Sequence, residues 1–239
     1  AGMQSGCLDN GIGSGVPHAI IPSGFDLDRF RNAPDPVDWE ALLDVAPGSP
    51  KPLVILMMAA LEPRKRHLRL MDTLPLLLAA HPETRIVFAG EGPLADEVRA
   101  KATALGIGHS IKLVGYRCDP ERLIALSDIS ILSSGQEGLR RCILQSIVGG
   151  KPTVAFDLPG LDAVVSNGVN GLIVPMDDWD GFGQDLMTLA GDADLRNSMA
   201  NSAAATDLSH WDWRQMGPLT NALYQQVLTD KGSNSQAVA

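Results

Sequence analysis

The sequence predicts an α/β fold built on a doubly wound parallel sheet. From Val54 onward, short apolar runs alternate with longer amphipathic stretches, a pattern typical of strands that alternate with helices. The run over residues 53–57 is apolar throughout, which suits a parallel strand covered on both faces. An apolar content of 45% in 239 residues is ample for a buried core. We therefore expect a Rossmann-like sheet with right-handed crossovers.

The elements follow from this pattern in chain order. Strands are predicted at residues 53–58, 85–89, 111–114, 129–132, 153–156 and 171–174. Helices are predicted between them at residues 65–80, 93–105, 120–127 and 140–149. Beyond Asp178 the chain is expected to be helical, with Asp192 opening one helix and Ser209 capping another that begins near Trp211. Residues 16–21 form one more candidate strand.

The same pattern divides the chain into four segments. We expect an N-terminal linker over residues 1–16 and a Rossmann-like domain over residues 17–206. A final helix is expected over residues 207–230, followed by a flexible tail over residues 231–239.

Charge and cysteine content argue against several partners and sites. A formal net charge of −9 disfavours nucleic acid as a partner, because phosphate backbones need an excess of Lys and Arg. The cysteines Cys7, Cys118 and Cys142 lack CxxC spacing and nearby histidines, so neither a disulfide framework nor a metal site is expected. No apolar run approaches the roughly 20 residues of a transmembrane helix, and the first residues lack a signal peptide. A reducing cytoplasm is the expected compartment.

Motifs of competing chemistries are missing from the sequence. Residues 11–15 (GIGSG) have the wrong spacing for a dinucleotide fingerprint, and no strand precedes them. There is no phosphate-binding P-loop motif and no nucleophile elbow, so neither nucleotide hydrolysis nor serine hydrolysis is predicted. The histidines are scattered, although His67 borders a basic loop.

That basic loop follows the first predicted strand. Doubly wound sheets bind ligands at the carboxyl ends of their strands, so the site is expected in the strand-to-helix loops. Arg64, Lys65 and Arg66 stand at the beginning of a predicted helix, where each exposed cation opposes the helix dipole by roughly 0.3–1 kcal/mol. A diphosphate would relieve that cost. A solvated basic turn paired with Glu62 is the alternative.

Two further loops carry candidate ligand-binding residues. Gly90 and Gly92 let the backbone approach a ligand closely, or they form only a tight turn. Glu137, after the fourth strand, can accept hydrogen bonds from sugar hydroxyls, and Gln145 lies about two helical turns further on. Alternatively, Glu137 caps a helix and Gln145 is a surface residue.

The order of these loops resembles the retaining glycosyltransferases of family 4, which have the GT-B fold. The similarity is carried by residues 21–30 (IPSGFDLDRF), 62–65 (EPRK), 90–93 (GEGP), 137–139 (EGL), 149–154 (GGKPTV) and 167–174 (NGVNGLIV). Only the second, C-terminal half of the GT-B architecture is matched. The resemblance implies that an N-terminal acceptor domain, in cis or in trans, completes the enzyme and that the final helix packs on that domain. It leaves open a peripheral association with the inner membrane through that domain.

The resemblance also implies roles for individual residues. Arg64 and Lys65 would bind the donor diphosphate, the catalytic residue Glu137 would contact the donor sugar, and Gln145 would contact the ribose of a UDP- or GDP-sugar. The remaining sugar- and nucleotide-binding residues would be Gly90, Gly92, Tyr116, Arg117, Gly138 and Leu139. Such enzymes stabilise the departing diphosphate with positive side chains and helix termini, so no metal or other cofactor is expected.

The chain departs from the family pattern at three positions. Ala60 lies where an arginine is usual, Gln145 replaces a glutamate, and Ala163 falls where another glutamate is expected. An amide still hydrogen-bonds a ribose but carries no charge. These departures support an alternative, a noncatalytic GT-B-like partner or scaffold subunit with a degenerate donor site. A GT-B sugar epimerase is a third possibility, and the isolated chain is not expected to transfer sugar by itself.

Overall fold

The computed structural model describes residues 9–11, 21, 23–34, 37–138 and 140–235. These residues form two compact units. The larger unit, Asp28–Asp207, contains the whole sheet, and the smaller unit combines the residues up to Leu27 with those from Leu208 onward. The predicted linker over residues 1–16 and the candidate strand over residues 16–21 fall almost entirely outside the described residues.

The larger unit is built on a parallel sheet. Its strands are β1 (Val54–Met58), β2 (Arg85–Ala89), β3 (Ile111–Gly115), β4 (Ile129–Leu132), β5 (Thr153–Phe156) and β6 (Gly171–Val174). The strand order is β3-β2-β1-β4-β5-β6, so the predicted doubly wound sheet is confirmed. Every strand agrees with its predicted bounds to within one residue. The order reverses between β1 and β4, which makes that junction the topological switch point of the sheet.

Helices cover both faces of this sheet. In the described parts of the chain they are α1 (Asp28–Arg31), α2 (Trp39–Leu43), α3 (His67–Leu70), α4 (Leu74–Ala80), α5 (Ala95–Ala104), α6 (Pro120–Leu126), α7 (Arg141–Val148), α8 (Trp179–Gly191), α9 (Ala193–Ala204) and α10 (Met216–Ser235). Helices α4, α5 and α8 join the apolar cluster on one face, whereas α6 and α7 pack against each other outside it. None of these helices is both long and apolar enough to cross a membrane.

The side chains of β1 show why a continuous apolar run is needed. Ile55 and Met57 belong to the apolar cluster that also contains Phe156, while Val54 and Leu56 point to the opposite face. The first four side chains of β1 are each at most 1% exposed. Fully burying one such side chain contributes about 1.5–3 kcal/mol, so both faces of the central strand stabilise the sheet.

The helix predicted over residues 65–80 is interrupted, which corrects that prediction. Pro63–Lys65 forms a 3-10 turn, Arg66 adopts a left-handed conformation with φ 59°, and a second 3-10 turn, Met71–Thr73, separates α3 from α4. Pro75 in the first turn of α4 lacks an N–H, and its ring would clash with a preceding carbonyl in a continuous helix. The basic residues therefore precede a helix of one turn.

Two other helix starts can be compared with their predictions. Asp192 caps α9 by accepting a hydrogen bond from the Leu195 amide at 2.8 Å, as predicted. The prediction for Ser209 is wrong, because it lies inside the 3-10 turn Ser209–Trp211. Asp212 caps the next 3-10 turn, Trp213–Gln215, instead, and its carboxylate accepts a hydrogen bond from the Arg214 amide at 2.9 Å.

The smaller unit is held together by backbone pairing. The Phe25 amide donates to the Trp211 carbonyl at 3.0 Å, and the Phe25 carbonyl accepts from the Trp213 amide at 3.1 Å. This pairing explains why residues up to Leu27 group with the C-terminal segment rather than with the sheet, to which the predicted boundary assigned them. Helix α10 extends to Ser235 and so includes the first residues of the segment predicted as a tail, whereas residues 236–239 fall outside the described residues.

Candidate active site at the switch point

Lys65 and Glu137 meet at the topological switch point. Lys65 follows β1, Glu137 follows β4, and these two strands are neighbours where the strand order reverses. The Lys65 Nζ and Glu137 Oε1 atoms form an ion pair. Their side chains are only 10% and 7% exposed, and charges so buried are tolerated when they are paired. The structure thus brings together two residues that the sequence marked on separate loops.

Arg64 borders this ion pair on the solvent side. Its Nε lies 2.8 Å from Glu62 Oε2, and its Nη1 lies 3.8 Å from Glu137 Oε2. The predicted pairing with Glu62 is therefore confirmed for Arg64 but not for Lys65, which turns to Glu137. The two cations, Arg64 and Lys65, and the two carboxylates of Glu62 and Glu137 cancel in formal charge, so this cluster carries no net positive charge.

Hydrogen bonds fasten the loop after β4 to the basic loop. The Ser133 hydroxyl donates to the Lys65 carbonyl at 2.9 Å, and the Gly135 amide donates to the Arg64 carbonyl at 3.1 Å. Ser133 and Ser134 are fully buried. The loop that carries Glu137 is therefore positioned by backbone atoms of the residues that carry the cations.

Four arginines in or beside the predicted strand-to-helix loops are candidates to replace the charge of the arginine missing at Ala60, namely Arg64, Arg66, Arg140 and Arg141. The structure gives the first three different surroundings. Arg66 pairs with Asp177 at 2.6 Å. Arg140 donates to the Pro159 carbonyl, and burial lowers its pKa. Arg64 combines substantial exposure, 52% of its side chain, with an Nη1 atom 3.8 Å from Glu137 Oε2.

Gly90 and Gly92 are required by the chain's own backbone. The Ala59 amide donates to the Ala89 carbonyl at 3.0 Å, and the Leu61 amide donates to the Glu91 carbonyl at 2.9 Å. A Cβ at Gly90 would collide with the Ala59 carbonyl, and one at Gly92 with the Leu61 carbonyl. These glycines therefore allow the loops after β1 and β2 to pack closely, a role that neither predicted alternative, ligand approach or a tight turn, included.

The loop after β3 holds the predicted base-binding residues. Tyr116 is 75% exposed, and its amide lies 3.4 Å from Glu91 Oε1. Arg117 makes two hydrogen bonds to Asp119, at 2.8 and 2.7 Å, which lower the pKa of that carboxyl. An open groove of about 530 Å³ beside this loop is lined by Val37, Asp38, Ala41, Leu42, Arg117 and Arg122. This concave surface lies next to the residues predicted to contact the base.

The remaining predicted residues belong to α7 or to the segment that precedes it in the sequence. Glu137 does not cap this helix, because α7 begins at Arg141 with Arg140 as its cap residue and no side-chain cap bond. The alternative interpretation of Glu137 as a helix cap is therefore wrong. Gln145 is half-buried on α7, Gly138 is exposed, and Leu139 falls outside the described residues.

Sequence reasoning missed Asp177, which the structure places beside Arg66, because no local pattern marks a pair 111 positions apart. For His67, the sequence indicated only that the residue borders the basic loop. The structure places His67 in the core against Phe88, with ring centroids 5.0 Å apart. Burial, together with the charge of Lys65, lowers the pKa of His67 to about 4. Within the described residues, no three His, Cys, Asp or Glu side chains are grouped as metal ligands.

Comparison with known protein families decides the assignment. The family model described as glycosyl transferases group 1 matches residues 43–206, a span that contains every strand of the sheet. The chain belongs to the glycosyl transferases group 1 family. The strand order and helix layers correspond to the C-terminal half of the GT-B architecture, as predicted.

Curated relatives of this group 1 glycosyl transferase chain include two proteins of Mycolicibacterium smegmatis. Phosphatidyl-myo-inositol mannosyltransferase is 29% identical over 210 residues, covering 87% of the chain and 51% of the relative. GDP-mannose-dependent alpha-(1-6)-phosphatidylinositol monomannoside mannosyltransferase is 30% identical over 213 residues, covering 82% of the chain and 53% of the relative. The chain spans about half the length of the curated relatives it matches.

Solved structures show the same fold. HepE of Anabaena, in complex with UDP and glucose, matches 96% of the chain and 60% of its own length, with TM-score 0.75 and 23% identity. Sucrose-phosphate synthase from Thermosynechococcus elongatus matches 96% of the chain and 57% of its own length, with TM-score 0.74 and 19% identity. At identities this low, the TM-scores show that the fold is shared, and only the fold.

Proposed function

We propose that the sheet unit binds the nucleotide-sugar donor of a retaining glycosyltransferase of family 4, with a UDP- or GDP-sugar as donor. The observation that carries this proposal is the Lys65–Glu137 pair, which sits where doubly wound sheets bind their ligands. The names of similar proteins agree with it, since HepE was solved with UDP and a mannosyltransferase relative is named for GDP-mannose.

In this proposal the cations stabilise the leaving nucleoside diphosphate. Arg64 and Lys65 offset the negative charge that develops on the diphosphate as the bond between its terminal oxygen and the anomeric carbon of the sugar breaks, and they need no metal for this. Lys65 is largely shielded from water, so its interaction with a phosphate is stronger than it would be at an exposed site. Glu137 accepts hydrogen bonds from hydroxyls of the donor sugar, and the Gln145 amide contacts the ribose.

The acceptor would be held by a separate N-terminal domain, in cis or in trans. We propose that α10 packs against that domain. Apolar side chains of the smaller unit support this, because Trp213, Tyr224 and Leu228 are each more than half exposed. Sugar transfer then belongs to the completed enzyme, whereas donor binding belongs to the chain described above.

Titration calorimetry with UDP and GDP, without added metal, tests the donor site. We expect saturable binding of one nucleotide and at least about a tenfold loss of affinity in Lys65→Ala, because the diphosphate loses a shielded cation. Lys101→Ala is the matched control, since Lys101 is also a partly buried lysine but pairs with Asp72, at 2.7 Å, rather than with a residue of the proposed donor site. A folded Lys65→Ala variant with unchanged affinity would remove the diphosphate assignment.

A second candidate function is a noncatalytic partner or scaffold subunit. Ala60 and Gln145 favour it, because each removes a charge that the family resemblance places at the donor site. In that case the native chain binds neither nucleotide, and the double variant Ala60→Arg/Gln145→Glu acquires affinity. Binding by the native chain would instead exclude a degenerate site.

A further inference from the structure

Arg66 holds an unusual backbone conformation next to the proposed donor site. Its φ is 59°, and among the described residues only Asp44 and Asp177 share a positive φ without being glycine. Left-handed backbone at such residues costs on the order of 1–3 kcal/mol and persists where surrounding contacts impose it. Two of these three residues contact each other, since Arg66 Nη1 lies 2.6 Å from Asp177 Oδ1.

The Arg66 side chain also lies against Gly135. A Cβ at Gly135 would lie 2.5 Å from three atoms of the Arg66 guanidinium group, so any other residue there would force this group to move. The side chain of Arg66 is 29% exposed, and its Nη1 is also 3.4 Å from Met176 Sδ. The guanidinium group is thus enclosed by Gly135 on one side and by residues 176–177 on another.

These contacts join three loops at the carboxyl edge of the sheet. Arg66 follows β1, Gly135 follows β4 and Asp177 follows β6, and β6 is separated from β4 by β5. Strands β1 and β6 are not neighbours in the sheet, so strand pairing does not explain the contact between the loops that follow them. Glu137 is two residues beyond Gly135, so whatever holds Gly135 restrains Glu137 as well.

We propose that Arg66 is a positioning residue that, with Gly135 and Asp177, forms a latch holding the loop of residues 133–137 against the basic loop. The inference rests on the proposed role of Glu137 at the donor sugar. Asp177 balances the charge of Arg66, so Arg66 contributes geometry rather than an additional cation for the diphosphate. The latch keeps the Glu137 carboxylate at Lys65, where the donor is bound.

Amide hydrogen exchange of the free chain tests the latch directly. In Arg66→Gly we expect exchange within residues 133–138 to rise at least about tenfold, while exchange in the strands stays unchanged. Gly135→Ala should give the same pattern, because its Cβ displaces the guanidinium group. Arg66→Lys should restore part of the protection, since an ammonium group can still pair with Asp177.

Matched controls separate the latch from general effects. Arg99→Ala removes an exposed Arg–Asp pair of 2.9 Å remote from the site, and Gly108→Ala adds a Cβ whose nearest neighbours are 3.9 Å away. Neither control should change exchange within residues 133–138. Unchanged exchange there in both Arg66→Gly and Gly135→Ala would overturn the latch.

Nucleotide affinity then tests the positioning role. If the native chain binds UDP or GDP, Arg66→Gly should weaken binding of the corresponding nucleotide-sugar at least about fivefold relative to the nucleotide alone, because Glu137 serves the sugar. The midpoint of thermal unfolding should stay unchanged. Normal affinity together with accelerated exchange would overturn positioning. If the native chain binds neither nucleotide, the proposed donor function fails, whereas the exchange measurement still confirms or overturns the latch.

Discussion

In the free chain, the Lys65 ammonium group and the Glu137 carboxylate pair with each other. Their side chains come from loops after two neighbouring strands, and both are largely shielded from solvent. Under our proposal, Lys65 serves the diphosphate and Glu137 serves the sugar. A donor must therefore displace or extend an existing ion pair, which reduces the net gain from binding an anion at this site.

The first prediction concerns the release of Lys65. In Glu137→Gln the lysine loses its anionic partner, so we expect several-fold tighter binding of UDP or GDP, whichever the native chain binds. The gain should be smaller for the corresponding nucleotide-sugar, because the variant loses the carboxylate that accepts hydrogen bonds from the sugar. Titration calorimetry with both ligands measures the difference.

The same variant should be less stable without ligand. A shielded lysine without a partner costs up to about 3 kcal/mol, which urea denaturation would detect. Asp96→Asn is the control, because it makes the same change in net charge at an exposed pair with Arg99. If Glu137→Gln binds nucleoside diphosphate more weakly than the native chain while remaining folded, the pair does not compete with the ligand.

The strands could be predicted from the sequence because buried parallel strands carry continuous apolar runs. β1 and β2 begin and end within a residue of their predicted bounds. The loops at their carboxyl ends followed from the same pattern, so Lys65 and Glu137 could both be marked as site residues. Their pairing could not be predicted, because it depends on β1 lying beside β4, a contact between distant parts of the chain.

Local patterns also failed where a distant contact decides the backbone. The apolar periodicity over residues 65–80 predicts one helix, yet Arg66 is left-handed and contacts Asp177. Pro75 was a local signal for the later interruption. Nothing in the neighbourhood of Arg66 marks its conformation, because the partners that impose it lie after β4 and β6.

The second prediction concerns the glycines between the first two loops. Gly90→Ala and Gly92→Ala should each destabilise the chain by about 1–3 kcal/mol, because the added Cβ meets a backbone carbonyl that cannot rotate away. Urea denaturation at neutral pH measures this loss. Gly108→Ala should have a much smaller effect, since its Cβ meets only ordinary contacts at 3.9 Å. Native stability in both loop variants would show that the two loops separate easily.

The third prediction concerns the stability of the chain in acid. Burial lowers the pKa of His67 from 6.5 to about 4, and both of its ring nitrogens lack hydrogen-bond partners. Between these two pH values the unfolded chain binds a proton that the native chain does not, so stability falls as pH falls through this window. The contribution lost from His67 is roughly 2 kcal/mol by pH 5 and roughly 3 kcal/mol below pH 4.

His67→Leu should remove this part of the acid sensitivity. At neutral pH the variant should be as stable as the native chain or more so, because leucine has no buried nitrogens to leave without partners. Urea denaturation at pH 7.5 and pH 5 measures both effects, with His109→Gln as a control at an exposed position. The native chain and the control should lose more stability between the two pH values than His67→Leu does. Equal losses in all three would mean that His67 takes up its proton in the folded state, which requires water or a carboxylate to reach the ring beneath the basic loop.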